Sequence, residues 1–106
     1  MIIATTDTIV GKRTVKTLGL VKGNTVRATH IGHDIAAWIR NIVGGEVNDY
    51  TKLLAEAREQ SLDRMIEDAL KLGANAIAGC RFSTCEMMQG AAEIIAYGTA
   101  VIVEEE

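Results

Sequence analysis

Four side chains in this sequence have the chemistry of transition-metal ligands. Cys80 and Cys85 stand as C-x4-C, and His30 and His33 as H-x-x-H with Asp34 next. Cys80 and Cys85 lie five apart in a stretch that reads as a strand, and an odd separation sends them to opposite faces. They can share an ion only if a bulge intervenes. The simpler reading makes Cys80 a small buried hydrophobe and Cys85 a thiol near a turn. The histidines fall at a strand-to-helix junction, where the loop either converges on a metal or is solvated, with Asp34 capping the helix that follows. His30, His33, Cys80 and Cys85 are thus the candidate metal ligands, and they can meet only through tertiary or inter-subunit contact.

A second group could bind a small polar or anionic ligand. Arg81 and Glu93 are charges within an otherwise apolar hairpin, and a charge placed there is normally paired or at a wet interface. With Arg58 they would line a pocket between subunits, or else form inter-subunit ion pairs that fix register. Thr5-Thr6-Asp7 is either a polar lip beside a site or a solvated strand end. Catalytic signatures are missing: there is no H-E-x-x-H, no G-x-S-x-G, no P-loop and no dinucleotide fingerprint. Tyr97 sits in an apolar strand, where a tyrosine is usually core with its hydroxyl satisfied.

The elements that must position these residues are legible in part. Asn48 and Asp49 are suited to cap a helix, and Leu54, Ala57, Leu62, Met65, Ile66, Ala69 and Leu72 then recur at threes and fours on one stripe. Glu56, Glu59, Asp63, Glu67 and Lys71 occupy the opposite face. Gly73 after Leu72 is placed for a left-handed stop. A shorter helix is expected from Asp34 to Val43, with Ile35, Trp38, Ile39 and Ile42 inward and Trp38 as a core or interface anchor. Ile2 to Thr6 is β-prone and leads to a turn at Val10-Gly11-Lys12. Thr14 to Thr29 is either one strand bent at its glycines or a hairpin turning at Gly23-Asn24. From Asn75 to about Glu86, and from Glu93 to Val103, two strands form an antiparallel hairpin.

The chain has 106 residues, enough for one domain that buries about 65 % of its unfolded surface. Aromatic residues make up only 4 %, so Ile, Val, Leu and Ala must build the core. The net charge is -3 and no basic stripe is present, which argues against nucleic acid. Met1-Ile2-Ile3-Ala4 is too short for a secretory h-region and no stretch could span a bilayer, so the expected setting is cytoplasmic, with unpaired thiols.

In the last strand Ile95, Tyr97, Thr99, Val101 and Val103 share one face, and Ile94, Ala96, Gly98, Ala100 and Ile102 the other. Both faces are apolar, so both should be covered. Helices can shelter one, with Ala96, Gly98 and Ala100 permitting close approach. Nothing else in the chain is large enough for the second, and another copy of the subunit is expected to supply the cover. The expected fold is α+β: a two-layer sandwich with an antiparallel sheet, the Glu93 to Val103 strand in its middle, and two helices on one face.

Gly45-Glu46-Val47-Asn48-Asp49-Tyr50, Ala57-Arg58, Gly73-Ala74-Asn75-Ala76-Ile77, Arg81-Phe82 and Glu93 with Ala96-Tyr97-Gly98-Thr99-Ala100-Val101, in that order, resemble the YbjQ-like family across nearly the whole chain. The resemblance implies a dodecin-like subunit, a ring-shaped homopentamer and a heavy-metal-binding label without an established activity. The working function is a non-enzymatic oligomeric protein binding a metal ion or small ligand at subunit contacts. Its alternatives are an enzyme with an inter-subunit active site and a purely structural or partner-docking ring.

Overall fold

The computed structural model describes residues 1–28, 48–88 and 91–106. Among them are four strands, β1 (Ile2–Ile3), β2 (Lys12–Ala28), β3 (Ala76–Met88) and β4 (Ala91–Glu105), and one helix, α1 (Asn48–Lys71). The strand order is β1-β3-β4-β2, so β4 is central as expected. The described part is thus α+β, a helix on a four-stranded sheet. The helix expected over Asp34–Val43, and with it Trp38, lies outside the described residues.

The sheet is mixed, not purely antiparallel. β3 pairs antiparallel with β4, and β4 with β2, but β1 runs parallel to β3 through Ile2↔Ala76 and Ile3↔Ile77. A parallel neighbour follows from the chain's route. β1 lies at one edge of the sheet and β2 at the other, so residues 4–11 must cross between them. They cross on the face opposite the helix, where Ile9 packs on Ala76, Val101 and Val103. The chain therefore does cover part of the second face, contrary to the expectation that only another copy could.

β2 is one bent strand and not a hairpin. Its register against β4 slips between Thr14 and Lys16 and again between Thr17 and Gly19, and Gly19 has φ +126°. A side chain disfavours that backbone region, and a register slip bends and twists the strand locally. Gly23 is neither turn nor bulge. A Cβ there would lie 2.7 Å from the Arg64 Cβ and closer still to the backbone of Ser61 and Met65. The helix crosses β2 at Gly23, backbone against backbone.

The stripe that seals this crossing is Ala57, Ser61, Met65 and Ala69, all fully buried. Ser61 is the polar member; its Oγ lies within hydrogen-bond distance of Thr25 Oγ1 at 3.0 Å, Ala57 O at 2.9 Å and Ile94 O at 3.0 Å, and its single proton serves one of these acceptors at a time. Leu72, expected on the buried stripe, is exposed because the helix has already ended. Gly73, at φ +85°, donates its N–H to Leu70 O at 3.0 Å, and Ala74 donates to Ala69 O at 3.1 Å. These two bonds are the Schellman pair, and they return the chain to the sheet. Asn75 then joins the ladder with its side chain: Nδ2 donates to Val103 O at 2.9 Å, and Val103 N donates to Oδ1 at 2.8 Å. The glycine, alanine and asparagine of the GANAI string thus have local geometric reasons.

The outer edge of β2 is also occupied by the helix. The Lys22 N–H donates to Asp68 Oδ2 at 3.3 Å, and Arg64 Nη1 donates to Asn24 O at 2.6 Å. Side chains there take hydrogen-bonding positions that another strand would otherwise use.

Candidate functional site

Residues opposite one another across an antiparallel pair point to the same side, so the register sorts every candidate by face. Val21, Gly23, Thr25 and Arg27 of β2, with Ile94, Ala96 and Gly98 of β4, form the helix face. The open face carries Leu20, Lys22, Asn24 and Val26, then Thr99, Tyr97, Ile95 and Glu93, then Arg81, Ser83 and Cys85. Beyond the crossing segment this face holds exposed apolar groups: Leu20 is 69 % exposed, Val26 52 % and Tyr97 38 %. A tyrosine expected to be core is thus partly uncovered.

Cys80 and Cys85 lie on opposite faces. A bulge does occur in β3, between Ala78 and Arg81, and Cys80 lies in it, but Cys80 still packs into the helix-side core and Arg81 to Glu86 pair in regular register. Cys80 belongs to the core cluster with Val21, Met65 and Ile77, while Cys85 is exposed. Burial pushes the Cys80 thiol above its ordinary pKa, and the neighbouring Arg81 guanidinium only partly pulls it back. A thiol held protonated is a poor metal ligand. His30 and His33 lie outside the described residues.

Glu93 stands directly across from Cys85, at a Cβ separation of about 5 Å for such pairs. Its carboxylate accepts a hydrogen bond from Asn24 Nδ2 at 3.2 Å. Sequence reasoning had assigned Glu93 to one candidate site and Cys85 to another; the strand register puts them together. Among the described residues no group of three or more His, Cys, Asp or Glu side chains could hold a metal ion. Cys85 and Glu93 are thus a facing pair of potential ligand side chains and no more.

Arg81 does not join Glu93. It pairs with Tyr97, four residues of β4 away, or about 13 Å along the strand. Its Nη1 donates instead to Thr5 O at 2.5 Å and Cys80 O at 2.9 Å, tying the crossing segment to β3. Arg58 is exposed on the helix, and the helix packs on the other side of the sheet. The three residues expected to share a pocket are not brought together within one subunit.

Two clefts flank these residues. On the helix side, about 390 Å³ is bounded by Arg27, Ala55, Glu56, Glu59, Gln60 and Asp63, with Arg27 Nη2 donating to Gln60 Oε1 at 2.9 Å. On the open face, about 340 Å³ lies beneath the crossing segment, bounded by Asp7, Thr14, Thr17, Ala78, Gly79, Thr99 and Val101. The sequence singled out Asp7 only as part of a polar lip. Its partners come from three strands, and no spacing within the sequence links them.

Comparison with known proteins settles the family. A family model described as "Putative heavy-metal-binding" matches residues 1–104. This chain belongs to the YbjQ family. A UPF0145 protein of Methanosarcina acetivorans is 57 % identical over 101 residues, covering 95 % of each chain. A UPF0145 protein of Pyrococcus furiosus is 54 % identical over 106 residues, covering all of this chain and 93 % of its own. A crystal structure of a protein of unknown function from Pediococcus pentosaceus, assigned to the DUF74 family, superposes with a TM-score of 0.65 over 98 % of both chains at 14 % identity, which shows a shared fold. No helix among the described residues of this YbjQ-family chain is long and apolar enough to cross a membrane.

Proposed function

We propose that this YbjQ-family protein is a non-enzymatic, homo-oligomeric binding protein whose ligand site is completed at subunit contacts. The observation that carries the reading is the uncovered part of the open face, where Leu20, Val26 and Tyr97 stand exposed around Arg81, Glu93 and Cys85. Exposed apolar side chains interspersed with polar ones on one sheet face are the composition of an interaction surface. The described residues also extend 53 × 24 × 16 Å with a radius of gyration of 16.9 Å, against about 13 Å for a compact chain of this size. An elongated sheet with one partly bare face gains burial by association. The family resemblance supplies the stoichiometry, a pentameric ring of dodecin-like subunits, and a cytoplasmic setting suits two free thiols.

The ligand we assign to this contact is a transition-metal ion. Cys85 offers an exposed thiol and Glu93 a half-buried carboxylate, and a second copy would supply the remaining ligands. Native mass spectrometry of protein purified without denaturation tests both parts at once. The expected spectrum shows a closed assembly with retained mass, and calorimetry shows uptake of zinc, cadmium or copper(I) that Cys85→Ser abolishes and Cys80→Ala does not. A metal-free assembly with no uptake beyond a buffer control would remove the metal and leave a structural ring.

A further inference from the structure

The cleft on the open face, beneath the crossing segment, differs in its lining from the surroundings of Cys85 and Glu93. Its floor is Thr99 and Val101 of β4, with Ala78 of β3 beside them and Thr14 and Thr17 of β2 on the far wall. Register slips flank this stretch on both sides: Thr14/Lys16 and Thr17/Gly19 in β2, and Ala78/Arg81 in β3. Such bulges bend strands and re-aim side chains, and they recur beside binding sites. Gly79, at φ +64°, and Gly98, where a Cβ would meet Ile77 Cγ2 at 2.7 Å, make the β3 bulge sterically possible.

The roof is held as firmly as the floor. Ala4 N donates to Ile77 O, Gly79 N to Thr6 O and Cys80 N to Ala4 O, each at 2.9 Å, and Arg81 fixes Thr5 O. Thr6 Oγ1 donates to Thr8 O at 2.6 Å, closing the turn around Asp7. The Asp7 carboxylate consequently overhangs the bulge, with Oδ1 3.7 Å from the position a Cβ on Gly79 would take.

The geometry points to a binding site for a short-chain primary amine in its ammonium form. The lining holds one carboxylate, three threonine hydroxyls and no cationic side chain, so its polar groups favour a cation and disfavour an anion. An ammonium group presents three N–H donors, which the Asp7 carboxylate and the threonine oxygens accept, and Ala78 with Val101 offers apolar surface for a short alkyl chain. A volume of about 340 Å³ admits a small organic ligand. Thr99 is six residues of β4 from Glu93, about 20 Å along the strand, so this site is distinct from the metal contact proposed above.

Titration calorimetry of the full chain at neutral pH with n-propylamine, sodium propionate and 1-propanol tests it. The expected result is saturable uptake of one propylammonium per subunit, at about millimolar affinity for so small a probe, with no saturable uptake of propionate or propanol. Asp7→Asn should weaken binding about tenfold or more, Thr17→Val by a smaller factor, and Glu67→Gln on the exposed helix surface should leave it unchanged. Absence of saturable uptake, equal uptake of propanol, or equal affinity in the Asp7→Asn and Thr17→Val proteins would each overturn the assignment. Both variants alter exposed side chains, and circular dichroism of each confirms its fold.

Discussion

The two faces of this sheet are finished in different ways. On the helix face, contact is made backbone to backbone at Gly23, the stripe Ala57, Ser61, Met65 and Ala69 is fully buried, and the hydroxyl of its one polar member, Ser61, sits among Thr25 Oγ1 and the Ala57 and Ile94 carbonyls. On the other face a strap of residues 4–11 closes one end, while Leu20, Val26 and Tyr97 stay in solvent at the rest. The first arrangement closes β2 and β4 under α1, although Phe82 of β3 stays 44 % exposed on that side, and the second leaves β2 and β4 bare at Leu20, Val26 and Tyr97. With the contact proposed above on the open side and the sealed packing on the other, mutations on the two sides of β4 should fail differently.

The largest effect is expected on the sealed side. Gly23→Val places a branched side chain where backbone already stands, and overpacking that a rotamer change cannot relieve costs about 3 kcal/mol or more. Chemical denaturation should show a large loss of stability or no folded protein. A mild effect would mean that the helix does not cross β2 here.

On the open side the same kind of insult should leave the fold intact. Leu20→Glu combined with Tyr97→Glu adds charge to exposed positions, so circular dichroism should be native while the sedimentation coefficient falls to that of a single subunit. Dissociation without unfolding sharpens the contrast between faces; an unchanged assembly breaks it.

Ser61→Ala is expected to rank third. It removes the hydroxyl shared by Thr25 and Ile94 from a fully buried position, at a cost of about 1–3 kcal/mol. The shift should appear in the denaturation midpoint with no change in oligomeric state.

The smallest effect is a pH dependence from Cys80. Burial raises its folded-state pKa above 9.0, the ordinary value for this thiol, so the folded protein holds this proton more tightly than the unfolded chain. The resulting stability is complete below the unfolded pKa and is lost as pH rises through the folded one. Melting curves above about pH 9 should therefore fall less steeply in Cys80→Ala than in the parent protein. Parallel curves would show that the Cys80 thiol is not buried as described.

Features carried by local chemistry were legible in the sequence. The helix runs from Asn48 and stops just ahead of Gly73, the hairpin follows, and β4 occupies the middle of the sheet, because caps, glycine stops and strand alternation act over a few residues. The separation of Cys80 from Cys85 was legible for the same reason. The route of residues 4–11 was not, since a polar segment with no periodicity gives no sign of the face it will cross. Gly23 was misread because glycine marks a turn, a bulge or a close crossing with the same letter. Tyr97 is read as interior by type and Leu72 by helical spacing, whereas the strap stops short of the first and the helix ends before the second. The Cys85–Glu93 pairing and the Asp7 cleft depend on register, which alternation narrows to a face but not to a partner.

The central claim, that the bare part of the open face is a contact between copies of this chain, is tested most directly by sedimentation velocity of the unmodified protein at micromolar concentration. The account predicts one discrete species at a small multiple of 11.4 kDa, five copies for the expected ring. A single boundary at 11.4 kDa across the concentration range would contradict it.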